Sequence, residues 1–156
     1  MQLYPAIDMK NGRCVRLCQG KFKNITIYSE HPEEIAALWQ EKKATFLHLV
    51  DLDGALAGRS VNEETIKKIV SSVNIPVEIG GGIRSEEAVK NMLSLGVKRV
   101  IIGTKAVEEP EFLKDMVEKF GADAIAAGID AKAGMVAIQG WEQVSTVTAT
   151  ELCLKM

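Results

Sequence analysis

Short apolar runs alternate along the chain with stretches in which apolar residues recur at helical spacing. Strands are predicted at Leu3 to Ile7, Phe46 to Val50, Val77 to Ile79, Val100 to Ile102 and Ala124 to Ile129. Each run is brief, mostly β-branched or aliphatic and without strict polar alternation, the pattern of strands buried on both faces. Between them, Ile66, Ile69, Val70 and Val73 keep the i, i+3, i+4, i+7 spacing, as do Leu113, Met116, Val117 and Phe120. Each of these segments carries one apolar stripe and predicts a helix packed on a sheet. Ile35, Leu38 and Trp39 form a similar stripe, which assigns Trp39 to the core. Pro32 and Pro110 stand where a first helical turn begins, and Gly96 and Gly121 where helices end. Glutamates crowd the predicted helix starts, at Glu33, Glu34, Glu63, Glu64, Glu86, Glu87, Glu108 and Glu109, where they complement the helix dipole.

Strands alternating with helices imply parallel pairing through right-handed crossovers, in an open doubly wound sheet or a closed barrel. An internal repeat favours the barrel. The segment Gly128 to Gly134 resembles Ala6 to Gly12, and each is followed by an apolar stretch ending in Gln-Gly, at Gln19-Gly20 and Gln139-Gly140. Asp8 and Asp130 are 122 positions apart, so two such repeats amount to about 244 residues, close to the ~250 of a (β/α)8 barrel. The fold class expected is α/β, a (β/α)8 TIM barrel present as about four βα units plus strand five. Residues 1–156 then form the N-terminal part of a single barrel, with a first half-barrel over 1–122 and the start of a second over 123–156. The helical segment Thr150 to Met156 has no capping glycine, which points to a truncated barrel with open sheet edges and self-association through them.

A net charge of -2 over 156 residues argues against a nucleic-acid groove or a polybasic membrane surface. Three cysteines cannot all pair, and the first ten residues lack the apolar run of a signal peptide, so a reduced, cytoplasmic protein is expected. The Cys14 to Cys18 spacing fits no zinc knuckle, and packing is expected of both.

With two histidines, His31 and His48, neither placed beside a second ligand, acid–base chemistry falls to carboxylates. Asp8, Asp51, Asp53 and Asp130 follow predicted strands, at the rim where (β/α)8 enzymes carry catalytic groups. Each alone could equally cap its loop. Asp8 and Asp130 together would face each other across a barrel mouth from strands one and five. A second constellation, Gly80-Gly81-Gly82-Ile83-Arg84 after strand three and Gly103-Thr104 after strand four, offers backbone N–H groups and helix starts to an anion. Trp141, beside Gly140, could stack on a planar ligand or pack. Glu78 and Lys105 could order the site or pair with neighbours.

The segments Pro5-Ala6-Ile7-Asp8, Val15-Arg16-Leu17 with Gln19-Gly20, His48 to Ala55, Gly80 to Arg84, Val100 to Thr104 and Gly140-Trp141 together resemble the phosphoribosylformimino-5-aminoimidazole carboxamide ribotide isomerases of histidine biosynthesis. The resemblance implies a twofold-repeated (β/α)8 barrel and an Amadori rearrangement of an aminoaldose to an aminoketose, without metal or organic cofactor. It makes Asp130 the general acid and Asp8 the general base. Gly20, Gly81, Gly82, Arg84, Gly103 and Thr104 become binding residues for a ribotide phosphorylated at both ends, and Trp141 lies over its planar part. A second phosphate site would fall beyond Met156, so the chain alone is expected to be inactive. The sister cyclase shares the repeat and the glycine loop, but Val50-Asp51-Leu52-Asp53-Gly54-Ala55 favours the isomerase. A dual histidine–tryptophan isomerase, a half-barrel assembly module and a non-catalytic phosphate binder are the other readings.

Overall fold

The computed structural model describes residues 3–18, 21–138 and 143–156. Five parallel strands form its centre: β1 (Ala6–Lys10), β4 (Leu47–Asp51), β5 (Val77–Gly80), β6 (Arg99–Ile102) and β7 (Ile125–Ala127). A hairpin of β2 (Arg13–Cys18) and β3 (Lys21–Ser29) extends the β1 edge antiparallel, giving the order β3-β2-β1-β4-β5-β6-β7. A separate three-stranded antiparallel sheet follows, built from β8 (Asp130–Lys132), β9 (Met135–Ile138) and β10 (Gln143–Thr148). The main sheet is open among the described residues, as expected of a barrel portion.

Alternation along the strands sorts side chains between two faces. Ile7, Met9, Leu47, Leu49, Val77, Ile79, Val100 and Ile102 are buried beneath the helices, with α3 (Glu63–Ser72), α4 (Glu86–Ser94) and α6 (Pro110–Phe120) contributing Ile66, Ile69, Val89, Met92, Leu113 and Met116 to the same core. Burial of each such side chain stabilises the fold by about 1.5–3 kcal/mol before entropy is counted. Pro32 opens α1 (Pro32–Glu41) and Pro110 opens α6, while Gly121 ends α6, each as the sequence predicts.

Several expectations need correction. Burial on both faces holds for β5 alone; in β4 buried and half-buried residues alternate, because helices cover only one face of the open sheet. Trp39 is 37% exposed and Leu38 44% exposed: α1 is anchored instead through Ala36 and Ile35, and Trp39 lines a surface pocket with Leu3, Pro5 and Ala44. Cys14 is buried as expected, but Cys18 is exposed near the end of the β2 strand. No helix among the described residues is long and apolar enough to cross a membrane.

Candidate active site

The face away from the helices holds Asp8 and a row of polar side chains. In β1, Asp8 alternates with the buried Ile7 and Met9 and so points to this open face, from mid-strand rather than beyond its end. The parallel registers Ala6↔His48, His48↔Glu78 and Glu78↔Arg99 set His48, Glu78 and Arg99 in one row across β4, β5 and β6, one step below the row of Asp8, Val50 and Gly80.

Asp130 stands at the start of β8, joined to β7 by Gly128 and Ile129. The hairpin that follows repeats the first one. Asp8 pairs with Val15, Met9 with Cys14 and Lys10 with Arg13; Asp130 pairs with Ala137, Ala131 with Val136 and Lys132 with Met135. The turns match as well, with left-handed φ of 49° and 75° at Asn11 and Gly12, and of 52° and 84° at Ala133 and Gly134, as a two-residue hairpin turn of the primed type requires. The sequence repeat is therefore a structural one.

Burial pushes the Asp8 carboxyl above its usual range, opposed in part by the charge of Arg16 and by that of His48 when its ring is protonated. Asp130 is exposed at the start of β8, yet partial desolvation by the protein around its carboxyl raises it too, opposed by His48 when its ring is protonated. Both carboxylates thus sense His48, and among the described residues only Asp8 has an arginine beside it, its Oδ2 lying 3.7 Å from Arg16 Nη1. The sequence alone places no second ligand beside His48, since a histidine within a strand has no visible partner there. Its place on the Asp8 face follows only from strand period and register together.

The remaining acidic candidates behave as loop anchors. Asp51 is 1% exposed and accepts hydrogen bonds from the N–H groups of Gly54, Val61 and Asn62 and from Asn62 Nδ2, at 2.7–3.1 Å, capping α2 (Leu52–Ala57). Asp53 accepts from Asn11 N, Asn62 Nδ2 and Lys10 Nζ at 2.5, 3.0 and 3.3 Å. Burial opposes its ionisation, but these bonds outweigh it and hold the carboxyl below its usual range. Lys105 pairs with Glu109 at 2.7 Å.

The glycine loop is locked from behind. Gly81 and Gly82 have φ of +105° and +79°; a Cβ on Gly81 would fall on the Asp51 carbonyl oxygen, and one on Gly82 would sit 2.5 Å from the Gly54 oxygen. Arg84 lies across the end of α2, where a Cβ on Gly58 would meet its Nη1 at 2.9 Å. Gly103 caps α5 (Thr104–Glu108) after β6, so the two glycine loops open at the same edge of neighbouring strands. Gly20 and Trp141 lie outside the described residues. Among the described residues no group of three His, Cys, Asp or Glu side chains could hold a metal ion.

A sequence profile described as "Histidine biosynthesis protein" matches residues 2–156. The chain belongs to this family. Its strand–helix succession is that of a (β/α)8-barrel family. Over all 156 residues the chain is 57% identical to the 1-(5-phosphoribosyl)-5-((5-phosphoribosylamino)methylideneamino)imidazole-4-carboxamide isomerase of Lachnoclostridium phytofermentans, and 47% identical to the enzyme of the same name from Syntrophomonas wolfei. The corresponding isomerase of Roseiflexus castenholzii is 50% identical, again over the whole chain. The chain spans 65%, 64% and 65% of the length of these three relatives, respectively.

Proposed function

We propose that the chain carries the acid–base machinery of an aldose–ketose isomerase that performs the Amadori rearrangement of phosphoribosylformimino-5-aminoimidazole carboxamide ribotide, in the cytoplasm. One observation carries the reading: Asp8 and Asp130 hold equivalent places in two copies of one hairpin, both with carboxyls raised above their ordinary range. A raised carboxyl keeps a proton to give closer to neutral pH.

Asp130, with no arginine beside it among the described residues, is the acid. It protonates the ribose ring oxygen as the C1–O bond breaks and the nitrogen lone pair forms the Schiff base. Asp8, steadied as an anion by Arg16, is the base: it takes the C2 proton, and the C2–H electrons move to give the enolamine. Tautomerisation of the C2 enol to a ketone, with protonation at C1, completes the aminoketose. Each positioned group is typically worth about 10²–10⁴-fold. Gly81, Gly82, Gly103 and Thr104 would cradle one phosphate, with Arg84 beside them; Gly20 and Trp141, outside the described residues, would add binding contacts, Trp141 to the planar part of the ligand. No metal or organic cofactor enters these steps. The relatives' names, which specify an isomerase acting on this ribotide, support the substrate.

The test is an assay for the aminoketose product, using the chain alone and with a separately expressed segment matching the relatives' remaining third. Product formed by native protein and lost in Asp8→Asn and Asp130→Asn supports the proposal; ring closure to the cyclase product instead would refute it.

A second reading concerns partners. The strands β3 and β7 are the edges of the seven-stranded sheet, and unpaired strand edges invite pairing with another chain. Sedimentation velocity reading a dimer at micromolar concentration supports self-association, and a compact monomer rejects it.

A further inference from the structure

The open face carries a row of polar contacts that the acid–base pair leaves unused. Glu78, 5% exposed, places Oε1 2.7 Å from His48 Nδ1 and Oε2 2.8 Å from Arg99 Nε. Arg99 Nη2 reaches the same Oε2, so two N–H groups grip the carboxylate. The guanidinium is itself seated against two rings, 5.0 Å from the Phe46 centroid and 6.0 Å from that of Tyr4. A carboxylate held in this way has little freedom to turn. Apolar side chains of similar volume often stabilise a sheet as well as a buried ionic group, so stability alone does not explain the row.

The chemistry of the row is directional. An ionised carboxylate only accepts, so Nδ1 of His48 supplies the hydrogen and the neutral ring keeps its lone pair on Nε2. His48 lies one strand and one row from Asp8, and when the ring is protonated its charge favours the ionised form of both Asp8 and Asp130.

We propose that Glu78, clamped by Arg99, is a positioning residue that fixes His48 in the Nδ1–H tautomer and presents Nε2 to the ligand space between Asp8 and Asp130. There Nε2 accepts from a sugar hydroxyl when the ring is neutral and donates to an oxygen when it is protonated. The identity of that ligand rests on the isomerase reading; the tautomer does not.

Two-bond nitrogen–proton correlation spectra of histidine-labelled protein, at a pH where the rings carry one proton, read the tautomer directly. His31→Gln assigns the two histidines, since His31 is on the surface. The expected result is Nδ1–H at His48 in the native chain and Nε2–H in Glu78→Leu. Glu78→Asp keeps the charge but shortens the reach by one methylene; it yields a mixture, and is read alone should the leucine variant not fold. Nε2–H in the native chain, or undiminished Nδ1–H in the folded variants, overturns the proposal. In the turnover assay, Glu78→Leu lowers kcat on the order of 10–100-fold with KM less affected. Turnover lost in Asp8→Asn but untouched in Glu78→Leu overturns the positioning role and leaves the isomerase reading standing. Absent native turnover counts against that reading alone, and the spectra still decide the tautomer.

Discussion

Asp8 and Asp130 begin the same hairpin twice: Asp8 is registered with Val15 and Asp130 with Ala137, across turns that both use two left-handed residues. The copies differ at one place that matters. Arg16 of the first hairpin stands near Asp8, and the equivalent position of the second, 122 residues on, is Ile138. One backbone device thus presents two carboxylates whose charged neighbours differ.

The first prediction separates stability from activity. Asp8 and Asp130 have folded-state carboxyls above the ordinary 3.8, so each binds its proton more tightly folded than unfolded, and its contribution to stability falls as pH rises through that interval. At neutral pH, Asp8→Asn and Asp130→Asn should leave the thermal midpoint unchanged or raise it while turnover falls about 10²–10⁴-fold. A marked drop in midpoint, followed by circular dichroism, would show both to be structural.

Asp53 predicts the opposite sign. Its folded carboxyl is held below 3.8, so its contribution is present above the unfolded value and is lost as pH falls through the folded one. Urea midpoints should therefore decline on acidification below about pH 4 more in native protein than in Asp53→Asn. Parallel declines would remove Asp53 from the acid response.

How far the sequence could be read depended on what each segment's pattern encodes. The strands β4, β5 and β6 are legible to within one residue at each end because short, largely aliphatic runs sit between helical patterns. The β2–β3 hairpin was not, since Arg13–Cys18 mixes charged and apolar residues and its pairing depends on a turn at Asn11 and Gly12. Trp39 misled because a helical stripe says nothing of which neighbour covers it, and the sheet leaves that end of α1 open. Asp8, Asp130 and the glycine loops stand out in the sequence through the repeat and their predicted place after strands, though Asp8 lies within β1 because the strand runs on to Lys10. His48 needed the parallel register to Ala6 before its face was known.

Two glycines offer a comparison of causes. At Gly81 a Cβ would collide with the Asp51 backbone and φ is +105°, whereas at Gly121 φ is +88° and nothing lies within 4 Å. Gly121→Ala should cost about 1–3 kcal/mol from backbone strain alone. Gly81→Ala should cost more, about 4 kcal/mol or above, because the Asp51 backbone at the β4–α2 junction must also move. Equal losses in denaturant melts would mean that the glycine loop does not pack on that backbone.

On the proposed mechanism, Arg16 steadies Asp8 as the base. Removing its charge in Arg16→Met makes Asp8 harder to ionise, so the acidic limb of the kcat/KM profile should move to higher pH, by less than about one unit because exposed pairs couple weakly. A limb that stays in place would detach Asp8 from that ionisation.

The most direct measurement is turnover of the ribotide to its aminoketose, by this chain combined with the segment completing its relatives' length, in native, Asp8→Asn and Asp130→Asn forms. The account predicts product from the native pair and a loss of at least about 10²-fold in each variant. Native-like turnover in either folded variant would contradict it.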